Sequence, residues 1–389
     1  MSHARPRPAF GIRPATMVLP VLALAALVGG CGLTPGSTST PGAGTKASPA
    51  GRAVASPPWK VTSYVIDSRT GDIVSAAASD DRMTVALNYG PAPTLTYTPT
   101  DGSTWENSTI KDGSVASLAA GSGEFVAVGA KEISGNVSDG NALAWRSSDG
   151  SHWTPATVDK SAGALMGAVV YARGMFVAVG GIEAADLSMT GVIWHSTDGL
   201  AWQATVLPSH SRLSGLTPTT SGFIALDGDG EVWSSGDGVS WVDSGALPEA
   251  SGEGSPDPFA VASDGTRVIA LGRFGATWIS NDGTHWTSGK IAAWAELRTT
   301  PMAHAVIAYD DGFVVASFGG MWASVDGKKW VGGENDMSEP TSRPSLHSDS
   351  LFAVLPFRGS LWAVGEPARS FGDGAIEFVA WRVESPFIK

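Results

Sequence analysis

Six aspartates recur at positions 101, 149, 198, 237, 282 and 326, in steps of 48, 49, 39, 45 and 44 residues. Carboxylates at near-even spacing could hold cations or act as general acids and bases if the fold brought them together. Their local setting points elsewhere. Five sit in a nine-residue cassette, Trp-x-Ser-x-Asp-Gly-x-x-Trp, at 145–153, 194–202, 233–241, 278–286 and 322–330. A weaker copy runs from Tyr97 to Trp105, keeping Asp101 and Gly102 but placing Pro99 where the others have Ser. Asp-Gly between two short apolar runs is a hairpin signal. Gly takes the positive φ, the carboxylate accepts N–H groups of the turn, and a Ser hydroxyl two residues earlier supports it. The six Asp residues are therefore expected to be structural.

Other chemistry-bearing residues are sparse. Asp227-Gly228-Asp229-Gly230-Glu231 resembles a calcium loop, but its length suits a plain turn between two strands. His152, His195 and His285 lie in or beside cassettes, as turn or strand residues. No Ser-His-Asp set, phosphate loop or zinc spacing is present, and no pair of carboxylates stands out as a glycosidase pair. The sequence therefore assigns no catalytic residue, no metal and no cofactor. Trp294 stands outside the repeat pattern and is followed by Glu296 and Arg298. That trio is the candidate binding site, an anchor for a sugar ring or a partner side chain; the alternative is that Trp294 caps the gap between two repeat units.

A repeat of this period implies a solenoid, propeller or array. Within each unit four short apolar runs are separated by Gly and Asp turns; the third reads 167–171, 176–179, 192–196 and 202–207. No helical period is present, so the class is all-β. The innermost run is rich in Ala, Ser and Gly, as in Ser75-Ala-Ala-Ala78, which suits strands converging on an axis. The second run, such as Phe125-Val-Ala-Val128, is apolar on both faces and suits burial between neighbours. The expected fold is a seven-bladed β-propeller of four-stranded antiparallel blades. The seventh unit lacks its last strand, and Trp59–Ile66 is an unpaired copy of one. The N-terminal strand should complete the last blade by pairing with Ala375–Arg382, leaving no open sheet edge.

The domain so defined covers residues 58–389. Residues 1–30 have a signal-peptide layout, with Arg5, Arg7 and Arg13 before an apolar run from Met17 to Val28. Val28-Gly29-Gly30-Cys31 resembles the lipobox of bacterial lipoproteins, which implies cleavage before Cys31 and a diacylglycerol on its sulfur. Cys31 is the single Cys, so no intramolecular disulfide is possible. Residues 31–57, after the lipidated Cys, have a composition of Gly, Ser, Thr, Pro and Ala that suits a disordered tether. The expected location is the outer face of the bacterial cytoplasmic membrane. Without the leader, 22 basic (25 − 3) stand against 37 acidic residues. That balance disfavours nucleic acid and anionic lipid as partners, so membrane contact is through the anchor alone.

The cassette resembles the Asp-box, or bacterial neuraminidase repeat, Ser-x-Asp-x-Gly-x-x-Trp, carried by sialidases and by a seven-bladed photosystem assembly factor among others. Here Gly follows Asp directly, one residue shorter. The resemblance covers roughly 59–389 and implies that the boxes are structural and face away from any active site. A sialidase would need three converging Arg residues and a Tyr nucleophile, and no Arg-Ile-Pro motif opens the propeller. Tyr171 and Tyr309 share one repeat position at the end of an innermost strand, which marks packing. The leading expectation is a monomeric binding or assembly module for a protein, peptide or glycan. The alternative is a surface glycan hydrolase or lyase with convergent acids at the channel mouth. Cassettes and inner turns should share one face. The other face carries the irregular loops at 131–141, 181–191, 288–301, 332–350 and 365–377.

Overall fold

The computed structural model describes residues 53–55, 59–67, 72–89, 92–98, 105–131, 140–183, 188–250, 257–292, 294, 303–317, 320–332, 350–366 and 378–388. The signal segment, Cys31, Asp101, Glu296 and Arg298 lie outside these residues, as does the turn of the weak cassette.

The chain is an all-β propeller. Its first strand, β1 (Val61–Asp67), joins the last sheet. The first sheet is β2 (Asp72–Ala78), β3 (Met83–Tyr89), β4 (Ala92–Thr98) and β5 (Glu106–Thr109). The second is β6 (Ser114–Gly121), β7 (Glu124–Ala130), β8 (Ala142–Ser147) and β9 (Thr154–Pro155). A short strand β10 (Thr157–Val158) then crosses over and pairs in parallel with the outer edge of the third sheet. That sheet is β11 (Ala164–Ala172), β12 (Met175–Glu183), β13 (Met189–Ser196) and β14 (Ala201–Val206). The fourth is β15 (Leu213–Pro218), β16 (Phe223–Asp227), β17 (Glu231–Ser235) and β18 (Val242–Ala246). The fifth is β19 (Pro258–Ser263), β20 (Val268–Gly272), β21 (Ala276–Ser280) and β22 (Trp286–Lys290). The sixth is β23 (Ala303–Tyr309), β24 (Gly312–Ser317), β25 (Gly320–Ser324) and β26 (Val331–Gly332). In the last, β27 (Ser350–Phe357), β28 (Ser360–Glu366) and β29 (Phe378–Val383) are followed by β1 at the outer edge.

The innermost strands meet in a cycle: β2 touches β6, then β11, β15, β19, β23 and β27, and β27 returns to β2. Small side chains allow this approach, and Ala76, Ala77, Ala119, Ala260, Ala262 and Ala305 are all buried. The second strands are buried along their length, as in β16 and β20, because each is sandwiched between neighbouring sheets. Each innermost strand breaks register once near its start, for example at Ser214 and His304. His304 is buried with its ring 5.0 Å from that of Phe352 on the next sheet, and burial pushes its pKa down to about 4. It is neutral at physiological pH.

The strand pairing at the chain ends runs from Val61↔Val383 to Asp67↔Phe378, close to the expected Trp59–Ile66 with Ala375–Arg382. One boundary differs. Composition assigns residues 53–55 to the tether, yet Val54 bridges Phe387, the N–H of Ala55 donates to Pro386 O at 2.7 Å, and that of Ile388 donates to Ala53 O at 3.0 Å. The paired structure therefore begins before residue 58. Composition could not show this, because the partner is the far end of the chain.

Candidate binding face

The cassettes repeat one hydrogen-bonded turn. In the second sheet Ser147 Oγ donates to Asp149 Oδ1 at 3.0 Å and accepts the Gly150 N–H at 2.8 Å. Asp149 Oδ1 also accepts the N–H groups of Ser151 and His152, both at 2.8 Å, and Trp153 Nε1 donates to Gly150 O at 3.2 Å. The same set holds at Ser196/Asp198, Ser235/Asp237, Ser280/Asp282 and Ser324/Asp326. The glycines at 150, 199, 238, 283 and 327 have φ between +72° and +78°, a left-handed conformation that costs a side-chain-bearing residue energy. At Asp198, Asp237 and Asp282 the backbone N–H donors hold the carboxyl below the usual carboxylate range. At Asp149 and Asp326 partial burial opposes this shift, and the same donors still prevail. These carboxylates stay ionised and are spent on their own turns. The first Trp of each cassette (145, 194, 233, 278 and 322) is buried; Trp194 and Trp278 also donate Nε1–H to Asp159 O and Pro248 O, each at 2.8 Å.

The hairpins after the innermost strands lie on the same face and tie sheet to sheet. Arg358 Nη2 donates to Asp81 O at 3.2 Å, and Arg82 Nη1 to Ser148 O at 2.9 Å. Arg173 Nη1 donates to Thr220 O at 3.1 Å, and Thr220 Oγ1 to Gly265 O at 2.8 Å. Arg267 reaches Val325 O at 2.6 Å and Asp311 O at 3.1 Å, and Ser385 Oγ donates to Asp310 Oδ2 at 2.9 Å. Between the second and third sheets the Tyr171 ring lies directly over Gly121, where a Cβ would overlap it. Tyr171 therefore packs, as its repeat position predicts.

The opposite face carries the turns between second and third strands; most of the irregular loops expected there, at 132–139, 184–187, 295–302, 333–349 and 367–377, lie outside the described residues. At the β16–β17 turn Asp227 is 0% exposed, and its Oδ1 accepts the N–H groups of Asp229 at 3.0 Å and Glu231 at 2.8 Å. Burial pushes its pKa up to about 7, against the Glu231 N–H bond and with the Glu231 carboxylate adding to the rise. One carboxyl oxygen thus faces its own backbone, while Oδ2 is buried with no hydrogen-bond partner among the described residues. Among the described residues no three His, Cys, Asp or Glu side chains converge to hold a metal ion, and no helix is long and apolar enough to cross a membrane.

At the β20–β21 turn, Arg273–Gly275 makes one 3-10 turn with Phe274 at φ +56° and 73% exposed. A bulky residue in left-handed backbone is costly, on the order of 1 kcal/mol or more, and is held by its surroundings. Arg273 forms an ion pair with Asp257, and Gly275, at φ +78°, lies against the Trp294 ring. The Arg212 guanidinium, desolvated and held below its ordinary pKa, faces the Asp257 carboxylate.

Trp294 is not on the surface. It is 3% exposed, its ring centroid lies 6.1 Å from that of Trp322, edge to face, and a Cβ on Gly275 would stand 2.8 Å from its Cε3. A ring this buried cannot serve as an exposed anchor. Trp294 instead props the turn that carries Phe274, which is the gap-capping alternative. The residue that sequence reasoning missed is Phe274 itself, since Arg-Phe-Gly reads simply as a turn.

No family model matches the chain, and no curated protein matches it. Solved structures do. YCF48 bound to D1 peptide superposes with a TM-score of 0.54 at 17% identity, covering 86% of this chain and 98% of that one. YCF48 from Cyanidioschyzon merolae gives 0.50 at 15%, covering 86% and 99%. A chain of the mitotic checkpoint complex gives 0.53 at 13%, covering 91% and 99%. At these identities the likeness shows a shared β-propeller fold.

Proposed function

We propose that this chain is a lipid-anchored extracytoplasmic module that holds a protein or peptide partner on the face opposite its cassettes. The observation that carries this reading is the contrast between the two faces. One spends its Asp, Ser and Arg side chains on its own turns and neighbouring sheets. The other presents Phe274, 73% exposed in strained backbone and braced by Trp294. Strain kept at an exposed aromatic residue is where recognition is expected. The use that YCF48 makes of the same fold, in its complex with D1 peptide, supports a polypeptide partner.

In this reading the sheets are seven blades, β1 closes the ring, and the cassettes are Asp-boxes in a structural role. Cys31 carries the lipid, and residues between it and Ala53 span from the outer face of the cytoplasmic membrane to a monomeric domain. The hydrolase reading draws on one acid of raised pKa, Asp227. Because that carboxyl is 0% exposed and its Oδ1 is bonded to its own turn, it has no access to a substrate, which favours binding over catalysis.

The test is affinity capture from a membrane extract with wild type, Phe274→Asp and Val239→Asp. Val239 is an exposed apolar residue of a cassette turn. A polypeptide retained by wild type and Val239→Asp but lost with Phe274→Asp is expected. Loss with Val239→Asp alone would place binding on the other face and overturn the reading.

A further inference from the structure

In most sheets the residue before the first large buried side chain of the second strand, or a side chain paired to it, reaches toward the cassette turn of the next sheet. In the first sheet it is Arg82, which donates to Ser148 O at 2.9 Å. In the second it is Glu124, paired to Arg146, whose stem lies 3.6 Å from where a Cβ on Gly199 would be. In the third, Met175 places its sulfur 2.6 Å from the corresponding point on Gly238. In the fifth, Arg267 donates to Val325 O at 2.6 Å. The sixth has Gly312, but Phe387 from the chain end fills that space, its ring 2.6 Å from the would-be Cβ. The seventh has Ser360, and the cassette turn it faces lies outside the described residues.

The fourth sheet has Gly222, and the side chain against the fifth cassette turn is instead Ile224, two residues on, its Cδ1 2.4 Å from where a Cβ on Gly283 would be. Gly222 has φ +156°, and a Cβ there would collide with the Ser235 carbonyl, so the backbone excludes any plug at this position. Around Ile224 a cleft of about 280 Å³ lies between the fourth and fifth sheets, on the cassette face.

Its lining selects a ligand class. Phe223, Ile224 and Val268 supply its apolar part, the rest is mostly hydroxyls with one amide, and among the described residues no Lys, Arg or His lines it. Anions therefore meet no cation in that lining, and the Arg173 guanidinium beside it is spent on Thr220 O at 3.1 Å. The single carboxylate, Asp282, is taken up by the N–H groups of Thr284 and His285, each at 2.8 Å, by Ser280 Oγ at 3.0 Å and by His285 Nδ1 at 2.7 Å. Cations gain little there. Thr220 and Thr266 donate their protons to Gly265 O at 2.8 Å and Asp264 Oδ1 at 3.1 Å, leaving lone pairs as acceptors. The Asn281 amide makes no side-chain hydrogen bond among the described residues and offers both donor and acceptor. A matching ligand is neutral, carries several hydroxyl donors and has an apolar C–H face. The volume equals roughly nine waters at ~30 Å³ each, near the lower end of small-molecule sites at ~300 Å³.

We propose that this cleft binds a single neutral sugar residue, either free or as one unit of a glycan, independently of the polypeptide partner on the other face. Saturation-transfer NMR tests it on the full-length protein in a detergent without sugar head groups. The probes are the methyl glycosides of glucose, galactose, mannose and N-acetylglucosamine. The comparison variant is Asn281→Val with Thr284→Leu, residues that other cassettes carry at Val325 and Leu200 and that should leave the turn intact. Transfer to at least one glycoside is expected in wild type, with affinity about tenfold or more lower in the variant, since each lost hydrogen bond weakens binding. Methyl shifts of Ile224 and Val268 in wild type on titration give a second readout, should the variant fold poorly. A glycan array separates a free sugar from one held within a longer chain. No transfer from any of the four glycosides, or transfer undiminished in a folded variant, would overturn the proposal.

Discussion

Replacing Trp194 by Ala tests whether the cassettes hold the ring together. Trp194 is fully buried and its Nε1 donates to Asp159 O at 2.8 Å, linking the third sheet to the segment that follows the second. A buried Trp hides ~150–250 Å², worth about 4–6 kcal/mol at ~25 cal/mol per Å². Measured Trp→Ala losses of ~3–5 kcal/mol agree with that range. Unfolding entropy of ~2.1 cal/mol/K per residue over roughly 330 residues gives ~0.7 kcal/mol/K, so a loss of ~4 kcal/mol lowers Tm by about 6 °C. Calorimetry on Trp194→Ala and Trp194→Phe should show the full drop for Ala and a smaller one for Phe. Trp294→Ala should fall by a similar amount, because Trp294 is as much a core residue. A shift below about 1 °C for Trp194→Ala would refute the packing argument. Loss of partner binding by Trp294→Ala with an unchanged melt would return Trp294 to the contact surface.

Asp227 should make stability pH-dependent. Its folded pKa, raised to about 7, exceeds the unfolded value of ~3.9, so between these the native state binds more protons and stability falls as pH rises. Asp227→Asn should flatten that slope in denaturant titrations between about pH 4 and 7; an unchanged slope would assign it elsewhere. Deleting residues 61–67 removes the outer partner of β29 and should leave the domain protease-sensitive, whereas deleting residues 32–50 should not; equal resistance would contradict closure by β1. Cys31→Ser should move the protein from the detergent phase to the aqueous phase with its melt unchanged, and unaltered partitioning would count against the anchor.

The parts of the fold legible in the sequence are those where a residue type has one geometric task repeated many times. Ser, Asp, Gly and Trp in the cassettes each serve a turn, and their spacing exposes the sheet period. Strand β1 was readable because its copy at the other end was missing. Trp294 was misleading for the reason that made it conspicuous: outside the repeat, nothing local says that Gly275 and Trp322 will cover it. Phe274 was silent, since its exposure depends on what fails to pack over it. The tie between 53–55 and 386–388 joins residues more than three hundred apart, and small residues there resemble a linker. The cleft between the fourth and fifth sheets needs both an alignment of the units and knowledge of which turn each second strand faces.

Site-specific photocrosslinking in the native membrane tests the central claim most directly. A photoreactive residue is placed at Phe274 on the loop face or at Val239 on the cassette face, both exposed in the structure. A discrete polypeptide adduct is expected from position 274 and none from 239. Adducts from 239 alone, or none from 274 while the protein is folded and membrane-bound, would contradict it.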